Sequence, residues 1–573
     1  METNEKDIII GIDFGTSGIG FAYGFLNDPD KTVNLGHFEG QEKTRKISSE
    51  IILDDNLENV ICFGNACKNF LCSSQIIKFH HFNKIKMNLY KKIYKIKASN
   101  SGKEADIEYI IKLILLQIKK KAIEQLKFTY HFLKEENIHW VITVPAIWNN
   151  KSKQKMINAA QSAGLIRDDD DPSNFFALEP EAAAIYYSKD KYSYKTIIEN
   201  QNPYILCDLG GGTADIVTQK KITKENEYIF EELYPPVGGD YGANNINEYF
   251  KDRVLKRLFG EQCYESVLNN ISNLYYDWNE LEKKIEEFKT SFYSLAQLIS
   301  SFQIDCDIFS EYSEFKVETL IKNFNLENPL WKLSLVKKWR IMFPYKIIFD
   351  IMKEIMTKIN DLIIKITNEV DVKSLIFTGG ASLSPILVDL IQNCGLKIFN
   401  YVKSHNPEVA IAYGSVLFSY DHNIINPRKA KYTFGIKACK KWVDKKYENG
   451  GIKKFYEIEN SYQCDNIFSK FISKNQDLKP DKEIIKSYTM CESKVIIELY
   501  KTEQDNVKFC DEKDKEGELK VWKFGEFIID VGDEFDINKR EALVKMKMGG
   551  TFITASAIYC KTGKNAKLTC LYE

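Results

Sequence analysis

Short apolar runs ending in glycine-rich turns punctuate the first 425 or so residues, and the stretches between them carry a helical period. "IIIGID" and "IGFAYGF" flank a tight turn that follows Asp13, a pattern that predicts a hairpin. "IEYIIKLILLQIKKKAIEQLKF" (107–128) repeats apolar residues at i, i+3 and i+4 and predicts a long amphipathic helix. "HWVITVPA" (139–146) predicts a buried strand ending at Pro145. "NNKSKQKMINAAQSAGL" predicts the next helix, with an Asn cap and Gly164 at its C-terminal end. "DDDDPSN" (168–174) predicts a solvated turn, and "FFALEPEAAAIYY" a strand and then a helix opening at Pro180.

From about residue 203 the pattern restarts. A hairpin is predicted around "CDLGGGTAD" (207–215), then a long helical stretch from about 241 to 298 and a less regular insert over roughly 300–340. "YKIIFDIMKEIMTKINDLIIKI" predicts a helix, and "SLIFTGGASLSPILVDLI" (374–391) a strand, a Gly turn and a helix. "NPEVAIAYGSVLFSY" (406–420) predicts a helix capped by Asn406, with Pro407 at its first position and Glu408 in its first turn. Beyond about 427 the texture changes to strand-like segments such as "KYTFGIKA", "SKVIIELYK" and "TFITASAIYCK". The pattern therefore predicts a duplicated α/β unit of about 425 residues followed by a β domain of about 145.

Composition narrows the function classes. A net charge of −1 gives no global field favouring nucleic acid or an anionic membrane. No run approaches the ~18 continuous apolar residues of a membrane span, and the acidic start is unlike a secretory signal. Thirteen cysteines without a CxxC pair predict free thiols in a reducing, cytoplasmic setting.

The glycines carry the chemistry. A phosphate tail needs backbone N–H groups with no side chain in the way, which glycine supplies through close approach and φ > 0. A bare carboxylate would repel that tail, but beside hydrated Mg²⁺ its sign is right. Two Asp-Gly-Thr hairpins facing each other would form a clamp, with Mg·phosphate between Asp13 and Asp208 and hydroxyl donors at Thr16 and Thr213. Neither hairpin is a Walker A loop or a dinucleotide fingerprint, because a strand rather than a helix follows. "TGGAS" (378–382) is a third Gly turn whose following helix would receive a nucleotide.

In order, "IGIDFGTS", "VITVPAIWNN", "LEPEAAAI", "LCDLGGGTAD", "VGGDYGANNIN", "IFTGGASLSP" and "NPEVAIAYGS" resemble the actin-like ATPase superfold, and within it the 70-kDa heat-shock protein family. "KFHHFNKIKMNL", "LEPEAA" and "GGDYG" look more like the divergent heat shock 70 kDa protein 12 branch. The resemblance implies two ribonuclease-H-like lobes (1–200 and 201–425), the final helix of the second packing back on the first. A reduced, substrate-binding-like β domain (426–573) without a helical lid would follow. It also implies ATP or ADP and Mg²⁺ as ligands. Asp13 and Asp208 would hold the metal through water. Gly15, Thr16, Ser17, Gly210, Gly211, Gly212 and Thr213 would cradle the phosphates, with Glu179 placing the attacking water and Asp215 close by. Gly238, Gly239, Glu286, Lys289, Gly379, Gly380 and Ala381 would line the ribose and adenine, and Glu408 would close the pocket. The resemblance implies a catalytic lysine after a Phe in this part of the chain, for which Lys84 and Lys86 are the candidates, with Lys86 favoured.

Two departures stand out. Thr290 and Leu383 occupy the places of the family's adenine-flanking arginines, and "NIINPRKAKYTFGI" replaces its apolar interdomain linker. The expected function is a slow, chaperone-like ATPase whose nucleotide state influences a β domain. That domain would bind unfolded protein segments or a dedicated protein partner. The alternatives are a nucleotide-binding scaffold with little hydrolysis and a small-molecule kinase of the same superfold. Against the kinase, no third Gly-Asp loop serves a substrate hydroxyl.

Overall fold

Two five-stranded sheets are built alike. A computed structural model describes residues 8–571, except 29, 39–44, 74–77, 132, 168–169, 171, 190–201, 225–226, 394–397, 399, 404–405, 422–423, 480–481, 515, 533–535 and 549–551. The acidic N-terminal start and three of the four aspartates of the predicted 168–174 turn lie outside the described residues.

The first sheet comprises β1 (Ile8–Phe14), β2 (Ile19–Phe25), β3 (Val33–Leu35), β4 (Ile138–Val144) and β5 (Phe176–Leu178), in the order β3-β2-β1-β4-β5. β1, β2 and β3 pair antiparallel, whereas β1–β4 and β4–β5 pair parallel. The second comprises β6 (Tyr204–Leu209), β7 (Ala214–Lys224), β8 (Glu227–Gly239), β9 (Ser374–Thr378) and β10 (Asn400–Lys403), in the order β8-β7-β6-β9-β10 with the same pairing senses. Every residue of β1 and β6 is buried, which is why both read as unbroken apolar runs.

Helices α1 (Ile85–Tyr90), α2 (Ile107–Thr129), α3 (Asn150–Ser162) and α4 (Glu179–Lys189) belong to the first half. The second carries α5 (Ala243–Phe250), α6 (Ile271–Thr290), α7 (Tyr345–Glu369), α8 (Pro385–Gln392) and α9 (Ala410–Phe418). Asn149 caps α3 by accepting from Ser152 N–H at 2.8 Å, and Gly164 (φ 66°) ends it. α4 and α9 pack on each other between the two sheets, so close at Gly414 that a Cβ there would lie 1.8 Å from the Ala182 carbonyl oxygen. Ile9, Val141, Leu206 and Ile376 complete that shared core, so the halves are joined by buried apolar surface.

Three expectations are corrected. Residues 407–409 form a turn in which Val409 N–H donates to the Asn406 carbonyl at 3.3 Å, so α9 begins at Ala410 and not at Pro407. The helical stretch from 241 is interrupted at Gly260, whose φ of 83° no right-handed helix accepts. The insert is ordered, with a three-stranded sheet (Ser301–Asp305, Arg340–Pro344, Ser334–Lys337) and a helix, Val317–Glu327.

C-terminal to these sheets lie β11 (Thr433–Lys441), β12 (Lys453–Tyr456), β13 (Ser461–Ile472), β14 (Glu483–Thr489), β15 (Lys494–Thr502), β16 (Val521–Asp530), β17 (Glu541–Lys547), β18 (Phe552–Tyr559) and β19 (Asn565–Leu571). They form two antiparallel sheets, β12-β13-β11-β15-β16 and β14-β17-β18-β19. Phe434, Ile436 and Leu499 of one share a core with Val544, Met546 and Ala555 of the other. β19 lies against α3. The connecting segment is pinned to β8: Glu232 N–H donates to the Pro427 carbonyl at 3.1 Å, and Lys429 N–H to Glu232 Oε1 at 2.8 Å. Among the described residues no helix is long and apolar enough to cross a membrane, and the described cysteines form no disulfides.

Candidate functional site

The turns leaving β1 and β6 face each other across the gap between the sheets. A Cβ at Gly211 would lie 2.1 Å from Ser17 Oγ, and one at Gly212 would lie 2.1 Å from Met87 Sδ and 2.7 Å from Thr16 Oγ1. Neither Gly15 nor Gly210, Gly211 or Gly212 adopts a positive φ, contrary to expectation. Close approach of the opposing side demands glycine at 211 and 212, and at 15 and 210 the Gly18 and Thr213 carbonyls of their own turns do, not backbone handedness.

The gap is a cavity of about 830 Å³. Asp13, Gly15, Thr16, Ser17, Lys86, Glu179, Asp208, Gly210, Gly211 and Thr213 line one end. Glu286, Lys289, Thr290, Gly379, Gly380, Ala381, Leu383 and Glu408 line the rest. Gly379 is required twice over: its φ is 79°, and a Cβ would lie 2.2 Å from Asp208 Oδ1. A 3₁₀ turn, Gly380–Leu383, separates it from α8, so that helix does not follow the glycines directly. Lys289 Nζ donates to Glu286 at 2.6 Å and to the Ala243 carbonyl at 3.2 Å, while Asn247 donates to Glu286 at 2.6 Å. Those contacts fasten α6 to α5 beside the cavity.

Four residues expected at the ligand lie behind the wall. Gly212 packs against Met87, and Asp215 sits one layer back, buried near Thr213, Ala146 and Ile147. Gly238 and Gly239 end β8, opposite Asp215 and Ala214. A Cβ at Gly238 would lie 2.1 Å from the Ala214 carbonyl oxygen, so this glycine serves strand approach rather than a ligand.

The two lysines separate cleanly. Lys86 is buried and donates to Glu179 Oε1 inside the cavity. Lys84 is exposed, in a left-handed conformation before α1, and bridges to Glu248 of the second half at 2.8 Å. A cavity cation that the sequence reading missed is Lys46, whose Nζ donates to Asp13 Oδ2 at 2.5 Å. It lies in the polar stretch "EKTRKISSE", which carries no periodic signal.

Burial, and then the neighbouring acids, push the Asp208 carboxyl up to about 7. Burial pushes Glu179 up to about 8, with Lys86 opposing. Asp208 Oδ1 and Asp215 Oδ1 are buried without a hydrogen-bond partner. Excess negative charge and an unpartnered Asp208 oxygen fit a divalent cation near Asp13 and Asp208. Among the described residues no three acidic, His or Cys side chains converge to chelate an ion directly, which suits one held through its waters.

The "Hsp70 protein" family model matches residues 73–223. Heat shock 70 kDa protein 12A of Mus musculus is 25% identical, over 98% of this chain and 91% of its own length. Heat shock 70 kDa protein 12B of Homo sapiens is 22% identical, over 98% and 90%. The chain is similar to 70-kDa heat-shock proteins. Chaperone protein DnaK of Mycoplasmopsis agalactiae is 25% identical, over 72% of this chain and 58% of its own length. The family match thus takes in Lys86, Glu179, Asp208 and the second hairpin, while the protein 12 relatives extend through the β sheets after residue 432.

Proposed function

We propose that this chain binds Mg·ATP in the cavity and slowly hydrolyses it to ADP and phosphate, its nucleotide state acting on the C-terminal β domain. The observation that carries the reading is the pair of facing hairpins, Asp13 and Asp208 at their roots, with the buried Lys86–Glu179 pair beside them. Phosphoryl transfer to water gains its rate from positioning and charge neutralisation, and these groups supply both. Lys86 neutralises charge developing on the transferred group and orients Glu179. The Glu179 carboxylate holds the attacking water and receives its proton. The backbone of Gly210 and Gly211 and the hydroxyls of Thr16 and Thr213 line the phosphate end. Bound at Asp13 and Asp208, Mg²⁺ would neutralise the phosphate tail.

The route to the β domain starts two residues from Glu179. Glu181 accepts from Arg428 of the connecting segment at 2.8 Å, both side chains fully buried. The reading also takes three units bounded near residues 200 and 425, the third a β domain that binds protein segments, in a cytoplasmic setting. A second reading, a scaffold with little turnover, is favoured by Thr290 and Leu383 at the base end of the cavity.

Phosphate release under saturating Mg·ATP tests the assignment. We expect slow release that Lys86→Ala lowers at least ~100-fold, the scale of losing one electrostatic stabiliser. Binding without release would favour the scaffold, and phosphate transfer that requires an added sugar would favour the kinase.

A further inference from the structure

Lys46 is built into the first hairpin. Ile19 and Ile47 exchange backbone hydrogen bonds of 2.7 and 2.9 Å, which place the residue before Ile47 against the turn. Its stem then runs over two glycines: a Cβ at Gly18 would lie 3.2 Å from Lys46 Cβ, and one at Gly20 3.3 Å from Lys46 Cγ. Two glycines of "GTSGIG" therefore make room for a lysine stem, not for a phosphate. The ammonium reaches Asp13, which is 1% exposed, and Asp208 and Glu179 are the next carboxylates in its field. Resting on the nucleotide reading above, we propose that Lys46 and a divalent cation are alternative occupants of Asp13. With Lys46 in place Asp13 is neutralised, and the cavity accepts a nucleotide's phosphate tail without metal. A divalent cation must first displace the ammonium, so the same lysine weakens metal binding. Charge balance supports this: Asp13, Asp208 and Glu179 face Lys86 and Lys46, and removing Lys46 widens the excess of carboxylates beside an anionic ligand.

The full-length chain is titrated with Mn²⁺ in the absence of nucleotide and followed by electron paramagnetic resonance, as wild type, Lys46→Met and Lys46→Arg. The methionine variant should bind Mn²⁺ about tenfold more tightly, and the arginine variant should stay near wild type. Calorimetric titration with ADP in excess chelator gives the second readout. Wild type and Lys46→Arg should bind, and Lys46→Met should bind at least about tenfold more weakly. Unchanged Mn²⁺ affinity in Lys46→Met, or unchanged chelator-resistant ADP binding, overturns the proposal. Wild-type protein that binds ADP neither with nor without metal overturns the nucleotide reading instead, and the Mn²⁺ titration still decides whether Lys46 and metal compete.

Discussion

Leu383 is half-exposed in the lining of the cavity, which Thr290 shares. On the proposed nucleotide reading neither would bring a cation to the face of a purine, so the base would lack a cation–π contact. Leu383→Arg should raise ADP affinity roughly 2- to 30-fold, the range of a cation–π contact, in calorimetric titration. An unchanged affinity would place the base elsewhere. At this scale the sequence was legible wherever a residue sat beside its own turn: Asp13, Thr16, Asp208 and Gly379 reach the cavity from the elements their motifs predicted. Lys46 was not, because its partner is 33 residues away in another strand. Gly238 marks the converse difficulty. A motif glycine looks the same whether it admits a ligand or a neighbouring strand.

Among the elements, the segment joining the sheets to the β domain is held by charge where the family's linker is apolar. Arg428 and Glu181 are fully buried, so Arg428→Met strands a carboxylate and should cost about 3–5 kcal/mol in urea unfolding. Adding Glu181→Leu should recover much of it, and equal stability of wild type and the single variant would contradict the assignment. Glu232, which accepts from Lys429 N–H, is pushed by burial from 4.5 up to about 8. Its native form holds a proton that the unfolded chain releases. It therefore contributes stability fully present below pH 4.5 and lost as pH rises through 8. Glu232→Gln should flatten the decline of Tm over that window in scanning calorimetry, and parallel profiles would contradict the burial argument. The hairpins, α2 and α3 were readable because their caps and periods are local. The small sheet of the insert was not, since its outer strands are largely exposed and carry little apolar alternation.

At the scale of the whole molecule, two copies of one sheet design close on a cavity that neither forms alone. α4 and α9 join them through buried apolar surface, while Lys84–Glu248 and the 2.5 Å His81–Tyr275 hydrogen bond cross between the halves. The repeat was legible in two apolar runs that each end in aspartate and glycine. Their distance apart was not, because it depends on the packing of Gly211 against Ser17 and of Gly414 against α4. Calorimetric titration of the full chain with Mg·ATP, beside Asp208→Asn, tests the facing-hairpin clamp most directly. The substitution keeps the shape that Gly379 accommodates and removes the carboxylate charge. Saturable binding by wild type, weakened about tenfold or more in the variant, is the predicted result. Equal binding by both, or none by folded wild-type protein at about 1 mM nucleotide, would contradict it.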